Sequence, residues 1–186
     1  MAKSKKPIKI YVAGRMSKHS GYSDHTWRDE FLKKISQLSG LKFISFDPTR
    51  AEKDYTDLEM VFASDVHMIK SVDVLLAYLS DDVSVGGSQE ILIAKYFSKP
   101  VIGFAPYGGK FNVSAREIAG VVIKDYKHPF VYTTCDVVCG TIEEVAQALQ
   151  NMGDIKPKTL NIIDKAYKRF SAKHSKTKMY EEHLIE

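Results

Sequence analysis

The chain has 186 residues, 44% hydrophobic and 27% charged, the composition of one soluble globular domain long enough to bury a proper core. No apolar run reaches the length of a membrane span, and no apolar signal core follows the basic residues 1–9, so a cytoplasmic protein with no membrane partner is expected. The net charge of +4 lies wholly in residues 156–186, which hold eight Lys/Arg against four Asp/Glu; the neutral remainder argues against broad nucleic-acid binding.

Residues 8–13 read as a first strand that ends at Gly14, followed by a polar loop over 15–24. Trp27, Phe31, Ile35 and Leu38 recur at helical spacing and predict a helix over 24–39, with Gly40 just past its end. Residues 42–46 read as a second strand. Thr56 and Glu59 form a capping-box pattern that opens a helix running to about Ser71. The apolar run 72–79 is a third strand of the kind buried on both faces of a parallel sheet.

Next comes Val83-Ser84-Val85-Gly86-Gly87-Ser88-Gln89-Glu90, where two glycines permit a sharp turn and close approach to a ligand. Ser88 is the expected N-cap of a helix over 89–97, which places Glu90 in its first turn. The positive end of the helix dipole would there keep the carboxylate ionised at neutral pH. A fourth strand over 101–104, a short helix over 114–119, a fifth strand over 130–133 and a helix from Thr141 to about Met152 complete the domain, residues 1–153. Residues 154–186 read as a basic helical extension. Its Leu160, Ile163, Tyr167 and Phe170 stripe is expected to pack on the domain or on a partner subunit.

Strands alternating with helices predict an α/β fold, a doubly wound parallel sheet of about five strands with flanking helices. Ligands of such sheets bind beyond the carboxyl ends of the strands, near a switch in strand order. That sets the segment Gly14 to Ser20 opposite Gly86 to Glu90.

Neither loop is a nucleotide fingerprint, since there is no Gly-x-Gly-x-x-Gly and no Gly-x-x-x-x-Gly-Lys-Ser/Thr. His19, His25, His67, His128, His174 and His183 lack metal-ligand spacing, and Cys135 and Cys139 stand as a lone pair three residues apart. No metal and no cofactor is therefore expected, and nothing resembles a nucleophile elbow. Carboxylates remain: Glu90, Asp65, Asp73, Asp81 and Asp82. A close carboxylate pair suits glycosidic cleavage through a covalent intermediate. Tyr11, near the end of the first strand, is placed to donate a hydrogen bond to Glu90.

Four segments in register carry a resemblance: Ile10-Tyr11-Val12-Ala13-Gly14; Asp65 eight residues before Asp73-Val74-Leu75-Leu76-Ala77; Gly87-Ser88-Gln89-Glu90-Ile91-Leu92-Ile93-Ala94; and Lys99-Pro100-Val101-Ile102. Over about residues 8–105 the chain resembles the nucleoside 2-deoxyribosyltransferase family, including its branch of 2′-deoxynucleoside 5′-monophosphate N-hydrolases. The resemblance implies a flavodoxin-like fold and cleavage of the N-glycosidic bond of 2′-deoxynucleosides or their 5′-monophosphates. It implies Glu90 as the nucleophile on C1′, Asp65 as the carboxylate that bonds the sugar and aids proton transfer, and Tyr11 as the residue that orients Glu90. The transferases carry a base-contacting Asp shortly before the helix glycine, where this chain has Val85 and Gly86.

The hydrolase branch lacks that Asp too, and has a Gly/Ser/Arg loop after its first strand, comparable here to Gly14, Arg15 and Ser17. With Ser20, Gly86, Gly87 and Ser88 these residues are the expected substrate-binding set, suited to a phosphate. The expected partners are a nucleoside or nucleotide substrate and further copies of the chain, as a homodimer or larger. Two alternatives stand beside this: a nucleotide-sensing module without turnover, and a lysine-decarboxylase-like phosphoribohydrolase, suggested by Gly86-Gly87-Ser88-Gln89-Glu90.

Overall fold

The computed structural model describes residues 6–14, 27–51, 53–79 and 84–174. Its centre is a five-stranded parallel sheet in the order β2-β1-β3-β4-β7, formed by β2 (Phe43–Phe46), β1 (Ile8–Ala13), β3 (Val74–Tyr78), β4 (Val101–Phe104) and β7 (Val137–Cys139). This is the flavodoxin-like order, with the direction of winding reversing between β1 and β3. Tyr11 is in register with Leu75, and Ala13 with Ala77, so β1 and β3 end together and leave a crevice beyond their carboxyl ends.

Alternation along the strands divides the core into two layers. Ile10, Val12, Val74, Leu76 and Tyr78 face α1 (Trp27–Ser39) and α5 (Ile142–Gln150), where Trp27, Phe31, Ile35 and Leu149 meet them. Tyr11, Ala13, Leu75, Ala77 and Leu79 face the other layer, with Ile69 of α2 (Leu58–Ser71) and Ile91 and Ala94 of α3 (Val85–Tyr96). Full burial of each large apolar side chain contributes roughly 1.5–3 kcal/mol, and both layers need it to hold the sheet between them. Tyr11 thus points at α2 and α3, the helices that carry Asp65 and Glu90.

Four expectations need correction. Helix α3 begins at Val85, with Ser84 rather than Ser88 as its N-cap, accepting from Gly87 N at 3.0 Å. Gly86 and Gly87 therefore lie inside the first helical turn, and Glu90 falls in the second. Residues 130–133 form no strand. They lie in a short helix α4 (Pro129–Thr134) with proline at its start, and the sheet position goes to the three-residue β7. A four-residue run of strand formers cannot be told from a buried helical turn by pattern alone.

The helix expected over 114–119 is instead half of a hairpin, β5 (Asn112–Ile118) and β6 (Val121–Lys127). Ala119 and Gly120, at φ 49° and 77°, make the two-residue turn with both residues left-handed that closes such pairs. On α6 (Asn161–His174) the stripe residues Ile163, Tyr167 and Phe170 are exposed, and Ile163 lines a groove shared with α3 and α4. Asp57, one residue beyond Thr56, caps α2 by accepting from Met60 N at 3.0 Å. Thr141 caps α5 as expected.

Candidate active site

Between β1 and α3, the Tyr11 hydroxyl donates to Glu90 Oε1 at 2.9 Å. Tyr11 is fully buried on β1, so its ring is fixed by the core and its hydroxyl is held at one point. Burial, followed by the negative charges of Glu90 and Asp65, raises its pKa well above the ordinary range, so it remains a phenol donor. The second Glu90 oxygen, Oε2, is buried and accepts no hydrogen bond among the described residues. An unpartnered buried carboxylate oxygen is costly to keep and is suited to a ligand.

Burial also pushes Glu90 up to about 7; the Tyr11 hydrogen bond opposes this, Asp65 adds to it, and Arg28 and Lys53 oppose it. The expectation of full ionisation at neutral pH is therefore wrong. One turn further along α3, Glu90 has lost most of the dipole's help, and desolvation outweighs what remains.

Asp65, in the middle of α2, accepts from Lys53 Nζ at 2.7 Å. Lys53 was not singled out from the sequence. It is one lysine in a polar loop, and only its tertiary partner distinguishes it. Arg28 of α1 was also missed: its Nε donates to Val12 O at 3.0 Å and its Nη2 to Gly14 O at 3.1 Å. Its Nε also lies 3.8 Å from Asp47. Arg28 thereby anchors the end of β1, where the loop toward Arg15 begins.

The remaining expected site residues divide. Gly14 packs tightly, since a Cβ there would sit 2.9 Å from Trp27 Cη2, so its bareness has a structural cause. Gly14, Gly87 and Ser84 line the small crevice with Ala13, Ala77 and Tyr78. A Cβ on Gly86 would meet Glu90 Oε1 at 3.7 Å, an ordinary contact. Ser88 is turned elsewhere: its hydroxyl donates to Val85 O at 2.8 Å, and it lines a separate groove between α3, α4 and α6. That groove, of about 780 Å³, is walled by Leu92, Phe111, Phe130 and Ile163 and includes none of Tyr11, Asp65 and Glu90.

Arg15, Ser17, Ser20, Asp81 and Asp82 lie outside the described residues. Asp73 accepts from Lys9 N at 2.8 Å, at the end of the sheet away from Glu90. Cys135 and Cys139 are buried thiols, each pushed up to about 12 by burial. Among the described residues no group of three His, Cys, Asp or Glu side chains is placed to hold a metal, and no helix is long and apolar enough to cross a membrane.

The strand order and the crevice at its switch point define a flavodoxin-like α/β protein with a carboxylate site. No protein-family model and no curated protein matches the chain. Among solved structures, the chain is similar to a 2-deoxyribosyltransferase of the psychrotolerant bacterium Bacillus psychrosaccharolyticus, with a TM-score of 0.53 and 18% identity over 80% of this chain and 98% of that one. A 2-deoxyribosyltransferase from Leishmania mexicana matches with a TM-score of 0.42 and 15% identity, over 90% and 99% of the two chains. The CMP N-glycosidase BcmB of Clostridium botulinum matches at 0.42 and 14%, over 77% and 98%. The first establishes a shared fold; the other two add nothing to it.

Proposed function

We propose that the chain cleaves the N-glycosidic bond of 2′-deoxynucleosides or their 5′-monophosphates, with Glu90 as nucleophile. One observation carries this: a carboxylate fixed through Oε1 by a buried tyrosine, with Oε2 unpartnered, at the switch point of the sheet. The ionised Glu90 carboxylate attacks C1′ as the bond from C1′ to the base nitrogen breaks, giving a deoxyribosyl ester. The departing base takes a proton, with Asp65 assisting. Water, or a second base, then attacks C1′ and frees the carboxylate. Tyr11 positions the nucleophile and lowers the cost of its charge.

Hydrolysis of monophosphates is favoured over base exchange. Val85 and Gly86 stand where the resemblance calls for a base-contacting Asp, so that contact to an incoming base is missing at these positions. Gly14, Arg15, Ser17 and Ser20 follow β1 in the sequence and are residue types that suit a 5′-phosphate, each charge-assisted hydrogen bond contributing roughly 1.5–3 kcal/mol.

Base release from a panel of deoxynucleosides and their monophosphates, with and without added free base, tests both levels. Glu90→Ala should abolish release while leaving the fold intact, and near-normal turnover in that variant would remove Glu90 from the mechanism. Arg15→Ala should lower monophosphate turnover about tenfold or more and leave nucleoside turnover unchanged. A preference for nucleosides that Arg15→Ala does not alter would instead favour base transfer.

A further inference from the structure

The site contains a cation with no role in the chemistry described so far. Lys53 enters from the loop between β2 and α2, and its side chain is only 6% exposed, against 23% for Asp65. Burying a lysine forfeits side-chain freedom and much of its hydration. Exposed lysine pairs, which add little, do not require such a sacrifice. The lysine lies deeper than the carboxylate it serves, bonded to Oδ1, while Asp65 Oδ2 accepts no hydrogen bond among the described residues.

We propose that Lys53 is a positioning residue of this site: it holds Asp65 in one orientation through Oδ1, leaves Oδ2 for the substrate, and sets a positive charge against the repulsion between Asp65 and Glu90. Four groups act on Glu90: Tyr11 from β1, Asp65 from α2, Arg28 from α1 and Lys53 from the loop. Arg28 is bonded to backbone carbonyls at the end of β1 and lies near Asp47. Lys53 is the cation bonded to Asp65 itself. Its charge favours an ionised Glu90, in the same direction as the Tyr11 hydrogen bond. This role presupposes the N-glycosidic activity proposed above.

A double-mutant cycle on the full chain tests it, with wild type, Lys53→Met, Asp65→Asn and the double variant assayed for base release on the preferred member of the substrate panel. Lys53→Met should lower kcat by about 10- to 100-fold with KM little changed, the scale of a misplaced catalytic group. The double variant should be no worse than Asp65→Asn alone, because Lys53 acts through Asp65. Lys53→Arg should recover most of the loss. A lysine needed only for folding would give multiplying losses, and that result, or a Lys53→Met variant within about twofold of wild type, overturns the role.

A ¹³C NMR titration of the Glu90 carboxyl supplies a readout independent of turnover. Its midpoint should rise in Lys53→Met and fall in Asp65→Asn, and an unmoved midpoint in Lys53→Met counts against the field effect. Should Lys53→Met not fold, Lys53→Gln replaces it, keeping a donor to Asp65 and removing the charge. Wild type that releases no base from any panel member refutes the N-glycosidic function and leaves Lys53 to be judged on the titration alone.

Discussion

At the scale of single residues, Glu90 is the group on which chemistry and stability conflict. Its pKa in the folded chain, about 7, lies above the ordinary 4.5 because burial disfavours the charge. The folded state therefore binds this proton more tightly than the unfolded state does. That contribution to stability is complete below about pH 4.5 and is lost as pH rises through 7. At 1.36 kcal/mol per pH unit the loss is about 3 kcal/mol. Glu90→Gln cannot titrate, so its stability relative to wild type should rise by up to that amount between pH 4 and pH 8, as read from urea denaturation at both values. An unchanged difference would mean that Glu90 titrates normally. Catalysis should run the opposite way. Base release should climb through pH 7 as Glu90 ionises, and a rate already flat from pH 5 would exclude a nucleophile of raised pKa.

At the scale of elements, the edge strand β7 and the start of the C-terminal segment depend on Asp136. Its Oδ2 accepts from Val101 N at 2.7 Å and its Oδ1 from Lys158 N at 2.7 Å. It also forms an ion pair with Lys95, which is fully buried and whose pKa burial pushes down despite that partner. The Lys158 side chain meanwhile donates to the carbonyls of Thr133 and Cys135 at the end of α4. Asp136 thus ties α3, β4 and the segment leading to α6 together, and Lys158 adds the end of α4. Asp136→Ala would leave Lys95 charged and buried without its partner, a loss of about 3–5 kcal/mol. Thermal unfolding measures it, and a change under 1 kcal/mol would show that the pair is dispensable.

At the scale of the whole molecule, the domain leaves apolar surface uncovered. Tyr167 is 73% exposed on α6, and Phe130, 76% exposed on α4, lines the groove between α3, α4 and α6. The tip of the β5–β6 hairpin adds Val121 and Val122. Surfaces of this kind mark interfaces between chains. We propose a homodimer or larger assembly in solution, and Tyr167→Glu with Phe170→Glu should shift it toward monomer in light scattering. A wild-type protein that is strictly monomeric and fully active would refute this.

Periodicity alone was enough for β1, β3 and β4, for the α1 and α5 helices, and for a parallel sheet, because alternating and helical patterns record which face each residue must bury. Residue types narrowed the chemistry to carboxylates, but Tyr11, Asp65 and Glu90 were singled out as a set by the family resemblance of four segments in register. Tertiary structure decided the rest. The fifth strand is three residues long, too short for a pattern, and the hairpin is stabilised by cross-strand pairing that competes with the helix propensity of its Ala, Arg and Glu. Lys53 and Arg28 matter through partners 12 residues away or more, at Asp65, Val12 and Gly14. The protonation of Glu90 is set by desolvation, a property of what surrounds the carboxylate in space and of nothing beside it in the chain.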